Sequence, residues 1–262
     1  MKLRHIAVLV GLFTGGIIGF PAAHAANPAK PAISAEASTA LQRMGQTLRA
    51  EQFSFQAHTI RVYSEANGEP LHIFHTMRVT VHRPNRLLAE MTGDDGSNKL
   101  VFDGKTLTLF SAQEKKYVSI PVPEGTVDGM LKEAVGHIGI DFPLADFLSE
   151  APDKAFLTGV TAGRVVNTVT IDGIPCDHLF FSQPPGIELE LWLEKNDRSL
   201  PRRLIVTYRS LPGQPNFIAE FADWNFTIHP SDADFVFQPP ADAVQAQLKP
   251  VAPPAKRKGG TK

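Results

Sequence analysis

Arg83-Pro84-Asn85, followed by Lys99-Leu-Val-Phe-Asp-Gly-Lys-Thr-Leu-Thr-Leu-Phe110, is the text that decides the fold of this chain. Asp103-Gly104 separates two short apolar-rich runs. Asp-Gly is a preferred pair for a two-residue type I′ turn, in which both central residues reach φ > 0. Such a turn pairs Phe102 with Lys105 and Leu100 with Leu107. Leu100, Phe102, Leu107 and Leu109 then share one sheet face, while Val101, Thr106 and Phe110 take the other. A small antiparallel sheet with apolar residues on both faces needs a cover for each face.

Working outward from this hairpin, a period of two dominates. Phe53 to Glu65 reads as a long strand with Phe53, Phe55, Ala57 and Tyr63 on one face. Asn67-Gly68 turns it into a partner at Leu71 to Arg83, with Leu71, Ile73, Met77, Val79 and Val81 on one face. Pro84-Asn85 makes the next turn. Leu87 to Thr92, Asn98 to Phe102, Lys105 to Phe110 and Tyr117 to Ile120 continue a meander. Strands resume with a second tight hairpin, Val165 to Ile171 and Pro175 to Ser182, around Asp172-Gly173. Ile187 to Glu194, Leu204 to Arg209 and Phe217 to Ile228 follow, and Phe235-Val-Phe-Gln-Pro-Pro240 reads as a closing segment.

The period changes in two places. Ser34 to Glu51 reads as a helix capped by Ser34, with Ala37, Leu41, Met44 and Leu48 in one stripe. An insertion at about 123–150 interrupts the meander. In it, Val127, Met130, Leu131, Ala134 and Val135 fit an amphipathic helix, and Asp141 to Leu148 a short second one with Pro143 near its first turn. The expected class is α+β, mainly β. About eleven strands form a strongly curved antiparallel sheet, a half-open barrel, with the N-terminal helix and inserted lid helices on its concave side.

The ends read differently from the middle. Lys2 and Arg4, the apolar run Ile6 to Phe20, and Ala23-His24-Ala25 form a signal peptide over 1–25. That run is short for a bilayer and broken by glycines, which argues against an anchor. A linker follows at 26–33, and a single domain is expected at 34–248. No cysteine follows the cleavage site, so a periplasmic protein without a lipid anchor is expected. Residues 249–262 carry Lys249, Lys256, Arg257, Lys258 and Lys262 and no acid, a basic tail expected to be disordered and available to an anionic membrane surface.

The chemistry in the text is sparse. Cys176, the only cysteine, cannot form an internal disulfide and reads as a buried strand residue. His72 and His75 fall on opposite faces of a strand and cannot chelate one ion. Cys176 with His178 offers two ligands, too few for a defined metal site. Glu188, Glu190 and Glu194 line one face of a strictly alternating strand, the pattern of a solvated sheet face. No nucleophile–base set, phosphate loop or zinc signature emerges. The expectation is no enzyme, no cofactor, no metal, no nucleic acid, and a monomer.

The order helix, long strands, "RPN", "VFDGKTL", helical insertion, further strands and "FVFQPP" resembles the LolA/LolB-like fold of periplasmic lipoprotein carriers, over roughly residues 34–245. The texts "GIDFPLADFL", "IDGIPCDHLFF", "ELWLEK", "LPRRLIVTY" and "FADWNF" are similar to those of a family of uncharacterised predicted periplasmic proteins of the same fold type. The resemblance implies that the second face is covered by a lipid. It also implies that Arg83, at the arginine of "RPN", latches the helical lid through hydrogen bonds to backbone carbonyls. Function is then expected to be binding of a hydrophobic ligand (a lipid, an acyl chain or an acylated protein) between sheet and lid. Phe53, Phe55, Met77, Met91, Leu107, Leu109, Met130 and Leu131 are the candidate lining residues. The competing reading is an envelope protein-interaction or stress-sensing module on the same fold.

Overall fold

The computed structural model describes residues 32–65 and 67–247. The signal segment 1–25, residues 26–31 of the linker and the basic tail 249–262 lie outside the described residues.

Helix α1 (Ala35–Leu48) opens the fold. The Ser34 hydroxyl accepts from the Ala37 N–H at 3.2 Å, satisfying one of the first-turn donors. Its stripe of Ala37, Leu41, Met44 and Leu48 is fully buried. The sheet then takes β1 (Gln52–Ser64), β2 (Pro70–His82), β3 (Arg86–Gly93), β4 (Gly96–Phe102), β5 (Thr106–Ser111) and β6 (Lys116–Pro121). The insertion carries α2 (Val127–Leu131), a π-helical turn at Lys132–His137, α3 (Ala145–Leu148) and α4 (Pro152–Phe156). The second half adds β7 (Ala162–Ile171), β8 (Ile174–Gln183), β9 (Ile187–Glu194), β10 (Pro201–Tyr208), β11 (Asn216–Asn225) and β12 (Val244–Gln245).

The twelve strands of the described residues belong to one sheet in the order β12-β6-β5-β4-β3-β2-β1-β11-β10-β9-β8-β7. Every neighbour pair is antiparallel except the two-residue β12, which runs parallel to β6. The sheet does not close, so the architecture is a mainly β, curved half-barrel. Its concave side packs against α1 and the insertion helices in one continuous core. Ile33, read above as linker, bridges to Gly163 and so protects one end of the β7 edge.

Four local readings need correction. The hairpin register is Phe102 with Leu107 and Leu100 with Leu109, two residues away from the expected pairing. The Asp103 carboxylate accepts the N–H groups of Lys105 and Thr106 at 2.9 and 2.8 Å, which lifts both out of the ladder. Only Gly104 has positive φ there, so no type I′ turn forms. A shift by two keeps each side chain on its face. At Asp172-Gly173 both residues have positive φ and Ile171 pairs Ile174, a two-residue turn.

The second inserted helix is also shorter than its text. Asp141 to Leu144 is not helical, because Pro143 disfavours the α conformation at Phe142 and supplies no N–H. The Phe235–Pro240 segment is not a strand. It begins with the last residue of a 3₁₀ turn at Asp232–Phe235, whose entry is fixed by reciprocal Ser231–Asp234 hydrogen bonds. The segment packs on the outer face of the sheet. Phe235 is fully buried beside His82, and Phe237 lies 5.5 Å from Phe110 and 5.2 Å from Tyr117, ring to ring. The outer face of β4–β6 is covered by the chain itself.

The last correction is the end of β11, which stops at Asn225 rather than Ile228 just after a bulge. β1 and β11 lose register where Ser54 and Gln56 oppose Asn225 and Ala222. Asp223 sits there at φ 54°, and the extra residue reverses the alternation. Phe217, Ala219 and Phe221 point inward before it, whereas Trp224 and Phe226 do so after it and stack with Phe53 and Phe55. Asp223→Gly is therefore expected to leave stability unchanged or raise it by up to ~1 kcal/mol. Asp223→Val should lower it by about 1–2 kcal/mol, since a β-branched residue resists this backbone. Urea midpoints of the two variants check the sign.

Candidate functional site

The concave face is organised by rows that cross the strands. One row reads Phe53, Val81, Leu87, Phe102, Leu107 and Ile120, and its first five members are fully buried. The next reads Phe55, Val79, Ala89, Leu100, Leu109 and Val118, where burial fades from Leu109 onward. The third reads Ala57, Met77, Met91, Asn98, Ser111 and Lys116, and turns polar as it leaves the helices. The helices thus fill one end of the half-barrel and stop short of the other.

That unfilled end is a half-open cavity of about 410 Å³. Met77, Ala89, Met91, Leu100, Leu109 and Val118 make its floor. Ile140, Asp141 and Phe142, from the irregular stretch after the π-helical turn, make its roof. Asn98, Ser111, Glu114 and Lys116 stand at its polar mouth. An apolar interior with a few polar groups at one side is the usual make-up of a small-molecule site, and the volume lies within the usual ~300–1,000 Å³.

Two arginines contact the inserted segment. The Arg83 Nη2 donates to the carbonyls of Leu48 and Ser149, at 3.2 and 2.8 Å. These carbonyls end α1 and α3, so one guanidinium joins the N-terminal helix to the insertion. Asp128 secures the same corner by accepting the Glu150 N–H at 2.8 Å. The Val127 N–H donates to the Pro84 carbonyl at 2.9 Å. Burial pulls the Arg83 pKa below its ordinary value, and the carboxylates of Asp128 and Glu150 oppose that shift. Its Nε and Nη1 are buried and find no partner among the described residues.

At the other end of the roof, Arg61 of β1 pairs with Asp141. The Arg61 guanidinium lies 5.3 Å from the Phe217 ring centre and 6.0 Å from that of Tyr63. Tyr208 borders the same spot, and burial followed by the Asp141 charge raises its phenol pKa.

Residues 37–249 match the family described as "Predicted periplasmic protein (DUF2092)". The chain belongs to the DUF2092 family. No curated protein matches it. Among solved structures, this DUF2092 chain is similar to an uncharacterized conserved protein from Thermus thermophilus, with 13% identity over 81% of this chain and 99% of that one, TM-score 0.49. It is similar to LprF from Mycobacterium bovis, with 13% identity, 78% and 99% coverage and TM-score 0.47. It also resembles a LolA superfamily protein from Nitrosomonas europaea, with 10% identity, 75% and 97% coverage and TM-score 0.38.

The eight candidate lining residues separate into two groups in the DUF2092 chain. Met77, Met91 and Leu109 stand on the cavity wall. Phe53, Phe55, Leu107, Met130 and Leu131 are packed in the core and do not face the cavity. Sequence reading missed Ala89, Leu100 and Phe142, and above all Arg61. Arg61 shares the parity of Phe53, Phe55, Ala57 and Tyr63, so a charge at an inward position was its signal.

The remaining polar candidates take structural places. His75 bonds Asp95 at 2.7 Å. His178 stacks flat on Trp192 at 4.1 Å and bonds Glu190 at 2.8 Å, away from the Cys176 thiol, which lies 3.4 Å from the Ile174 carbonyl. Burial, then the Glu194 charge, raises the Cys176 pKa. Glu188 and Glu194 pair with Arg209 and Arg202, so the outer face of β9 is laced with ion pairs rather than merely solvated. Among the described residues, no three His, Cys, Asp or Glu side chains converge as metal ligands. No described helix is long and apolar enough to cross a membrane.

Proposed function

We propose that this chain is a periplasmic carrier that binds a hydrophobic ligand, a lipid, acyl chain or acylated protein, between its sheet and inserted segment. The carrying observation is the unfilled apolar end of the concave face, roofed by Ile140–Phe142, beside a core packed without a break. A chain that folds around such a space gains from a ligand that removes its apolar wall from water. Met77 and Met91 suit a flexible alkyl chain, because their unbranched side chains adapt in shape. Arg83 acts as the latch that keeps the insertion on the sheet.

Filling the space tests this reading. Ala89→Phe and, independently, Leu109→Trp are expected to weaken uptake of a fluorescent fatty acid at least about tenfold, a loss of ~1.4 kcal/mol. Both variants should melt within a few degrees of the parent. Unchanged affinity in both folded variants, or no uptake by the parent, would sink the proposal.

A second reading has its own support. On the outer face, Phe74, Ile60, Ile218 and Ile205 lie in one cross-strand row along a groove of about 620 Å³. Phe74 is half exposed. An apolar row that is partly exposed and ends in a half-exposed aromatic ring suits a protein partner in the envelope. Crosslinking in cells that captures a recurrent partner, lost on Phe74→Glu but retained in Ala89→Phe, would favour it.

A further inference from the structure

We propose that Arg61 is the anion-binding end of the cavity, and that Asp141 is a resident counter-ion which the headgroup of an anionic amphiphile displaces. The inference rests on the carrier reading and names its ligand class: an alkyl chain bearing a carboxylate or phosphate.

Placement is the first argument. Arg61 occupies an inward position of β1, and its side chain is only 15% exposed. A guanidinium is costly at such a position unless it is paired. It borders a small cavity of about 180 Å³ that shares Met77, Met91, Asp141 and Phe142 with the large apolar one. The two cavities therefore adjoin, and the cation lies beside the end of the apolar one.

The second argument is the asymmetry of the pair. Arg61 stands on the long central strand β1, which is paired on both sides. Its partner Asp141 is 59% exposed and lies in a stretch without helix or strand. Of the two charges, the carboxylate is held more loosely and is closer to water. Removing it from Arg61 alone would strand a buried cation, whereas exchanging it for another carboxylate preserves the pairing. The Phe217 and Tyr63 rings lie within cation–π range of the guanidinium carbon, and the N–H groups that Asp141 now engages are the ones an oxyanion would take. Tyr208 lines the adjoining space together with Arg61 and Asp141, and burial raises its phenol pKa.

The chemistry predicts a charge preference that a purely apolar cavity lacks. Displacement of a fluorescent fatty acid from the full chain is measured with laurate, dodecanol, dodecyltrimethylammonium and, as a headgroup alone, acetate. Laurate is expected to bind best, the cation worst, and acetate not at all. Arg61→Gln should weaken laurate about tenfold or more and so abolish its preference over dodecanol. Asp141→Asn, a change at an exposed side chain, should raise the preference for laurate over dodecanol several-fold. Arg61→Lys keeps the charge and should keep part of the preference. Equal binding of laurate and dodecanol in the parent and in Asp141→Asn overturns the inference and leaves the carrier reading standing. Displacement by acetate overturns it in favour of a free-anion site. Failure of every amphiphile removes both.

Discussion

Phe147→Ala is expected to lower the unfolding free energy by about 3–5 kcal/mol, the usual cost of emptying a large buried aromatic site. Phe147 is 1% exposed. It meets Phe221 edge-on at 5.4 Å and Phe156 at 6.0 Å, so it is where α3 reaches both the sheet and α4. Phe221 continues the contact to Phe55 and Trp224, and Phe156 to Phe181. Truncation thus opens a hole in the middle of a chain of rings that spans both halves of the sheet. The neighbouring Phe142 roof hangs from the same short insertion, so ligand uptake should fall with stability. Phe147→Leu, which keeps most of the volume, should lose no more than about 1–2 kcal/mol. Urea denaturation with shared slopes separates the two variants, and equal midpoints would refute the anchoring role.

Arg83→Met is expected to cost about 2–4 kcal/mol, or roughly 4–16 °C in melting temperature for a domain of this size. Two carbonyls, of Leu48 and Ser149, would lose a charged donor and stay in a half-buried corner. Asp128 and Glu150 would lose the nearby positive charge. The loss is bounded because Nε and Nη1 are already unpartnered, so removing the guanidinium also removes their burial penalty. Arg83→Lys should fall between the two, since one ammonium cannot reproduce the planar fork. A latch further requires that hydrogen exchange at α3 accelerate more than at β8. Uniform acceleration across the sheet would reduce Arg83 to a strand-ending residue.

Much of the sheet was legible because a period of two survives most local accidents. The hairpin at Asp172-Gly173 follows from backbone freedom alone, and its register could be read directly. Asp103-Gly104 carries the same dipeptide, but the Asp103 carboxylate captures two backbone donors, an interaction that dipeptide statistics do not contain. The bulge at Asp223 was invisible for a similar reason. A single residue at positive φ reversed the parity that places Trp224 and Phe226 in the core. The cavity was only partly legible. Phe55, Met77, Leu107 and Leu109 all obey the inward alternation. What separates core from cavity wall is their row across the sheet, and that depends on register and on where the helices end. The cover of the outer face by Phe235 and Phe237 needed the path of the C-terminal segment, which no local pattern encodes.

The most direct test of the carrier account is a crystal structure of the full chain grown with ω-bromolaurate, read by the anomalous signal of bromine. The account predicts a bromine peak between Leu100, Leu109 and Phe142, with density running back toward Arg61. A peak confined to the outer-face groove at Phe74, or a cavity left without bromine under saturating ligand, would contradict it.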